Sequence, residues 1–189
     1  LGEGDQAKVV PFRDEVYVWE APFTSNPTSF FKTKQRFGGI IWGNDNYAIV
    51  YDSWYDTRNT KAYLVNPSNL SAEAKIIADR NMQDIYSDPG NFETKRNEFN
   101  REVLAVENDN AYLIGNGFTK NGQFPFIDEF NLKTQKTKRL YTSTYTDKKE
   151  DLLSIEDFKK GDVLVMIQSK NEYPNYFMRN IKSKNSLTQ

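Results

Sequence analysis

A short apolar run, an Asx-rich turn, a longer apolar run and a polar turn recur along this chain. Asn44-Asp45-Asn46 separates Gly38-Gly-Ile-Ile-Trp42 from Tyr47-Ala-Ile-Val-Tyr51, and Asn108-Asp109-Asn110 separates Val103-Leu-Ala-Val106 from Ala111-Tyr-Leu-Ile114. A looser third copy joins Leu152-Leu-Ser-Ile155 to Val163-Leu-Val-Met-Ile167 through Lys160-Gly161-Asp162. Turns of this composition between apolar runs predict antiparallel hairpins. The pattern over residues 39–80 predicts four strands, Gly39–Trp42, Tyr47–Trp54, Lys61–Asn66 and Ala74–Asp79, with Asn66-Pro67-Ser68-Asn69 as a turn. Over 102–142 it predicts Glu102–Glu107, Ala111–Phe118, Phe124–Asn131 and Thr137–Thr142. Over 151–189 it predicts Leu152–Glu156, Asp162–Ser169, Tyr173–Ile181 and a final strand cut short near Gln189.

Tyr47–Trp54 is apolar on both faces, with Tyr47, Ile49 and Tyr51 on one and Ala48, Val50 and Trp54 on the other. Such a strand must be covered on both sides. Stacked sheets do this, whereas a two-layer sandwich with one wet face does not. Four-strand units repeated at roughly forty to fifty residues point to a β-propeller. The register of the repeat favours that architecture over a plain antiparallel sandwich. The expected fold is all-β: one partial propeller domain over 1–189, of about three four-stranded antiparallel blades plus an N-terminal half blade. The half blade is 1–38, where Glu15–Trp19 alternates like a strand and Thr28–Thr33 is a second candidate beyond Pro22 and Asn26-Pro27. Gly2-Glu3-Gly4-Asp5 reads as a hairpin tip, as if the chain began inside a blade. Blades at 39–80, 102–142 and 151–189 follow, with 81–101 as a connecting loop holding the strong turn Tyr86-Ser-Asp-Pro-Gly90 and a charged stretch, Glu93–Arg101, readable as a short helix or a loop.

Composition removes whole classes of chemistry. The chain contains neither Cys nor His. It therefore holds no disulfide, no thiolate nucleophile, no Ser-His-Asp triad and none of the common zinc sites. The redox compartment stays open, because exported bacterial proteins often lack Cys too. With 25 basic against 26 acidic residues there is no electrostatic footprint for nucleic acid. No apolar run reaches the roughly 18 residues of a membrane span.

Few residue groups remain that carry chemistry. Asp128-Glu129 and Glu156-Asp157 are paired carboxylates, yet neighbours on a strand point to opposite faces, so a solvated edge is the expected role. The Asn-Asp-Asn turns lack the spaced acids of a calcium loop. Gly115-Asn116-Gly117 precedes a strand rather than a helix and fails as a phosphate loop. Lys133–Arg139 and Lys182–Lys184 read as exposed hairpin tips and edges, and Asn69-Leu70-Ser71 is a lone sequon. No metal ligand set and no cofactor site is expected. Trp54-Tyr55-Asp56-Thr57-Arg58 stands apart, because an aromatic pair beside an arginine in a loop suits contact with a peptide or a sugar. The competing reading of Trp54, Tyr55 and Arg58 is a packed strand end with a cation resting on a ring.

Arg36-Phe-Gly-Gly-Ile-Ile-Trp42, Ala48-Ile-Val-Tyr-Asp-Ser-Trp-Tyr-Asp-Thr-Arg58, Tyr86-Ser-Asp-Pro-Gly90 and Pro125-Phe-Ile-Asp128 resemble, in order, the propeller of glutamyl endopeptidase-like serine peptidases of the prolyl oligopeptidase family. The resemblance runs from about Asp5 to Lys170. It implies a propeller that precedes a C-terminal α/β-hydrolase domain, restricts entry to short or unfolded peptides and helps to position them, with cleavage after Glu. The family's catalytic Ser, Asp and His lie in that hydrolase domain, and no Gly-x-Ser-x-Gly elbow is present here. No catalytic residue is carried over. The expected partners are peptide substrate, through the parent enzyme, and the hydrolase domain; Trp54, Tyr55 and Arg58 are the substrate-facing candidates. A ring left open at a half blade would also expose strand edges and favour self-association of the fragment. The rival reading is a self-standing propeller-like module that binds protein or glycan.

Overall fold

The computed structural model describes residues 8–183 and 186–189. The hairpin tip expected at Gly2–Asp5 lies outside them. Every regular element among the described residues is a β-strand, and all pairings are antiparallel. They form three four-stranded and three two-stranded sheets, with no helix. The chain divides into two compact units, Leu1–Gln83 and Asp84–Gln189.

In the first unit, β1 (Asp14–Val18) and β2 (Thr28–Thr33) form a hairpin. β3 (Arg36–Asn44), β4 (Tyr47–Trp54), β5 (Asn59–Val65) and β6 (Lys75–Asn81) form a meander in chain order. The Asn44 side chain sets the β3–β4 turn, its Oδ1 accepting from the N–H groups of Asn46 at 2.9 Å and Tyr47 at 3.1 Å. Ala48 and Val50 face one side of β4 and lie opposite Val65 and Tyr63 of β5. Phe30 of β2, with Val16 and Val18 of β1, packs on this face, so the hairpin covers the meander. Ile49 points the other way and is equally buried. The strand apolar on both faces is indeed covered on both.

In the second unit, β7 (Asn91–Phe92), β8 (Thr94–Arg96), β9 (Glu102–Leu104) and β10 (Asn110–Gly115) are followed by β11 (Phe118–Thr119) and β12 (Gly122–Gln123). Then come β13 (Phe126–Asn131), β14 (Thr137–Thr142), β15 (Lys149–Asp157), β16 (Asp162–Ser169), β17 (Glu172–Asn180) and β18 (Ser186–Thr188). One sheet runs β14-β13-β10-β7 and a second is the meander β15-β16-β17-β18. Tyr112, Ile127 and Tyr141 of the first sheet pack against Leu152, Ile155, Val163, Val165 and Ile167 of the second. Full burial of each aliphatic chain is worth about 1.5–3 kcal/mol, which makes this contact the main adhesive of the unit. Ahead of β10, Asn108 and Asp109 both have positive φ, and Glu107 and Asn110 exchange N–H···O bonds around them. This is a two-residue turn of the primed kind, in which Asn and Asp are favoured.

The stretch 81–101 differs from expectation. It holds no helix, and Asn91–Phe92 rather than Glu102–Glu107 is the strand beside β10. Glu102–Leu104 folds back on Thr94–Arg96 instead. The Tyr86–Gly90 turn explains the geometry. Asp84 Oδ1 accepts from the Tyr86 and Ser87 N–H groups, Asp88 Oδ1 accepts from Gly90 N–H, and Gly90 (φ 87°) runs so close to β10 that a Cβ would lie 2.3 Å from the Ile114 oxygen. The expected strand Ala111–Phe118 also stops early, at Gly115, because that glycine packs against the Phe126 ring and the chain then turns into the β11–β12 hairpin.

Asp128 is not a solvated edge residue as expected. It is buried and paired in bidentate fashion with Arg139, its cross-strand partner on β14. Deeper still, Glu150 on β15 is 2.7 Å from Arg179 on β17, with both side chains almost fully enclosed, and accepts from Tyr141 Oη at 2.7 Å. Removing one partner of such a pair strands a buried charge. Arg179→Ala is expected to lower unfolding stability in urea by about 3–5 kcal/mol, whereas the double change Glu150→Leu/Arg179→Met recovers most of it. Gly90→Ala is expected to cost more than about 1 kcal/mol in the same measurement, since it combines positive φ with a backbone clash.

Candidate functional site

β4 and β5 meet at the pair Trp54 and Asn59, so Tyr55–Arg58 is a four-residue loop at one end of the meander. Arg58 N–H donates to the Tyr55 oxygen at 3.2 Å, closing the turn, and Arg58 itself sits in the left-handed region at φ 55°. That conformation costs a side-chain-bearing residue about 1–2 kcal/mol. Two contacts offset it. The Arg58 carbonyl accepts from Met82 N–H at 2.7 Å, at the end of β6, and its guanidinium lies 3.5 Å above the Tyr55 ring. The guanidinium nitrogens make no hydrogen bond or ion pair among the described residues, so its donors remain available to a ligand. Tyr55 is 73% exposed.

Tyr55 and Arg58 thus lie in one loop and Trp54 is the β4 residue that leads into it, but the three do not share one partner. Trp54 is half-buried and carries a different cation, the guanidinium of Arg13, 4.5 Å from its ring. Arg13 lies just ahead of β1 and carries no sequence signal linking it to Trp54; only the docking of the hairpin brings them together. The result is two stacked arginine–aromatic pairs at the same end of the unit.

Beneath the loop runs a polar network that sequence patterning does not reveal. Gln35, in the corner between β2 and β3, donates from its side chain to Asn59 Oδ1 and from its backbone N–H to Asp52 Oδ2 at 3.1 Å. Asn59 donates onward to Asp79 Oδ1 at 2.7 Å, and Asp79 also meets Lys61 at 3.0 Å. These two bonds hold the Asp79 carboxyl below its ordinary range. Asp52 is completely buried and also accepts from Tyr63 Oη at 3.1 Å. Burial pushes its carboxyl above the ordinary value and drives Tyr51 up to about 12. Among the described residues no group of three or more His, Cys, Asp or Glu side chains is set to hold a metal ion. The chemistry on offer is recognition: flat rings, the planar Arg58 cation with its donor edge unused among the described residues, and a supporting amide network.

The strain and the stacking at Arg58 separate by substitution. Arg58→Ala keeps the left-handed backbone and loses the ring contact, so thermal unfolding is expected to show a loss of about 0.5–1 kcal/mol. Arg58→Gly loses the same contact but relaxes the backbone, and is expected to unfold at or above the parent temperature.

The chain is 33% identical over 195 aligned residues to a protein of Arabidopsis thaliana named a probable glutamyl endopeptidase, chloroplastic; the match covers 93% of this chain and 20% of that protein. It is 31% identical over 196 aligned residues to the protein of the same name from Oryza sativa subsp. japonica, covering 94% of this chain and 21% of the relative. No protein-family profile matches the chain. No solved structure matches it either. This chain therefore spans about a fifth of the length of the curated relatives it matches, and its relationship to them runs along almost all of its own length. It is an all-β chain similar along most of its length to part of two proteins named probable glutamyl endopeptidases.

Proposed function

We propose that this chain is a non-catalytic β-propeller portion of a serine peptidase, gating access to a hydrolase domain and positioning peptides for cleavage after glutamate. The observation that carries the reading is the similarity, along more than nine-tenths of this chain, to two proteins named probable glutamyl endopeptidases. The absence of His supports the division of labour, since a serine triad needs an imidazole base that must then come from elsewhere. Blade-like organisation is supported by successive four-stranded antiparallel sheets: β3–β6, then β7 with β10, β13 and β14, then β15–β18, preceded by the β1–β2 hairpin as a half blade. In this reading the propeller excludes folded proteins from the catalytic chamber, and the C-terminal α/β-hydrolase domain supplies nucleophile, base and acid.

Arg58 has the chemistry to meet an acidic substrate side chain. Its guanidinium face is held by Tyr55, which leaves the donor edge to grip a carboxylate in a two-pronged, charge-assisted contact. Such a contact forms in the bound state before any bond is broken, so it acts on substrate affinity.

Two measurements test the proposal. The purified chain is expected neither to hydrolyse glutamate-containing chromogenic peptides nor to react with a fluorophosphonate probe; labelling of a single serine overturns the non-catalytic assignment. In the full-length peptidase, Arg58→Ala is expected to raise KM for acidic peptides about tenfold with little change for neutral ones. Equal effects on both classes return Arg58 to a packing role.

A further inference from the structure

Asp52 is a carboxylate with no exposed surface; the Lys61 charge eases its ionisation, but burial outweighs that and no cation pairs with it directly among the described residues. On β5, the cross-strand neighbour Lys61 directs its ammonium to Asp79 at 3.0 Å, and Tyr63 offers Asp52 only a neutral hydroxyl. On β6, Asp79 is taken up by Asn59 and Lys61, and its charge is felt at Tyr63. From the β3 side, Arg36 is paired with Asp14 of β1 at 3.3 Å, and Asp14 is further occupied by the Phe37 N–H at 2.8 Å. From the β2–β3 corner, Lys34 and Gln35 present backbone rather than charge. Asp52 Oδ2 takes both the Gln35 N–H and the Tyr63 hydroxyl, while Oδ1 is buried and receives no hydrogen bond. Gln35 Oε1 is a second buried acceptor in the same corner without a donor.

A buried carboxylate is tolerated when paired or hydrogen-bonded on both oxygens, and is otherwise more stable with a proton. Here one oxygen is satisfied and the other is not. A proton taken from solvent onto Oδ1 removes the buried charge, which is only partly compensated, and turns an unpaired acceptor into a donor in a corner that already has an acceptor to spare. Protonation at Oδ1 leaves the two bonds to Oδ2 in place in the closed state.

We propose that Asp52 is a proton-operated latch for the loop that carries Arg58. The connection is short: Asp52 holds the backbone of Gln35, the Gln35 side chain holds Asn59, and Asn59 closes the loop against Trp54. With the proton on, the corner is neutral and the loop base is tight. With the proton off, the buried charge favours local opening, which lets water reach the carboxylate. The direction follows from linkage. Burial places the folded-state value above 3.8, the ordinary value of the unfolded chain. Below pH 3.8 both states carry the proton, and the latch contributes no pH dependence. As pH rises from there through the folded-state value, the open state ionises first and the closed state is progressively disfavoured; above that value the penalty is complete.

Amide hydrogen exchange across a pH series, corrected for intrinsic chemical rates, tests the latch. Protection of residues 33–37 and 55–60 is expected to fall as pH rises above 3.8, by up to about tenfold for each pH unit by which folding raises the Asp52 pKa. In Asp52→Asn this slope is expected to vanish in those two segments. A slope of equal size in the variant, or none in the parent, overturns the proposal. Should the variant fail to fold, the Asp52 carboxyl carbon in the unaltered protein, followed by NMR, gives the answer directly. Titration above the ordinary aspartate value upholds the latch, and titration at or below it overturns it.

Discussion

From Ala48 to Val50, strand β4 has no exposed surface, and a strand buried on both faces needs a cover on each. Each unit meets the need to cover apolar sheet faces with short antiparallel elements. In the first unit the β1–β2 hairpin covers one face of the meander. In the second, two four-stranded sheets bury their facing sides against each other. Outer strands then become the interface with water and carry the charge. β6 presents Lys75, Asp79 and Arg80, and β14 presents Lys138 and Arg139. Charged margins of this kind discourage other chains from adding strands.

Stacking sheets so tightly encloses polar groups as well, and the molecule deals with them in two ways. At Glu150 the charge is matched by Arg179 and further held by the Tyr141 hydroxyl, so burial adds rigidity at the cost of intolerance to change. Elsewhere, carboxylates serve backbone irregularities. Glu93 accepts from Ile155 N–H at 3.1 Å, beside a register shift in β15 where sheet pairing is interrupted. Burial raises the Glu93 carboxyl, and the nearby Glu156 adds to the shift. Both solutions keep buried donors paired, but only the first also neutralises the charge.

Much of the strand layout was legible in the sequence. Thr28–Thr33, Tyr47–Trp54, Thr137–Thr142 and Asp162–Ser169 occur with the expected bounds; Tyr47–Trp54 and Asp162–Ser169 each carry a continuous apolar run between turn residues, while Thr28–Thr33 is bounded by the Asn26-Pro27 breaker. Asn91–Phe92 was not legible. A strand of two residues has no period, and its partner lies beyond an intervening hairpin. At the candidate site, Trp54, Tyr55 and Arg58 were visible because they are neighbours in the chain. Arg13, Gln35 and the unsatisfied oxygen of Asp52 were not, since each gains its role from a contact made across sheets or corners. Local chemistry can be read from local sequence, whereas burial of a particular oxygen depends on everything folded around it.

The two-residue strand β7 carries a further consequence for how the second unit assembles. β10, β13 and β14 are joined by chain-local hairpins and can zip together in sequence order. β7 must close a long loop, enclosing the β8–β9 hairpin, and gains two residue pairs from β10, with one more backbone bond from Glu93 N–H to the Tyr112 oxygen, for that entropy cost. With no cysteine in the chain, no covalent tie shares the load. On this ground Asn91–Phe92 is expected to be a seam in the sheet, closing after the hairpin-linked strands and opening more readily than they do. A protease probing the folded protein would find its entry there.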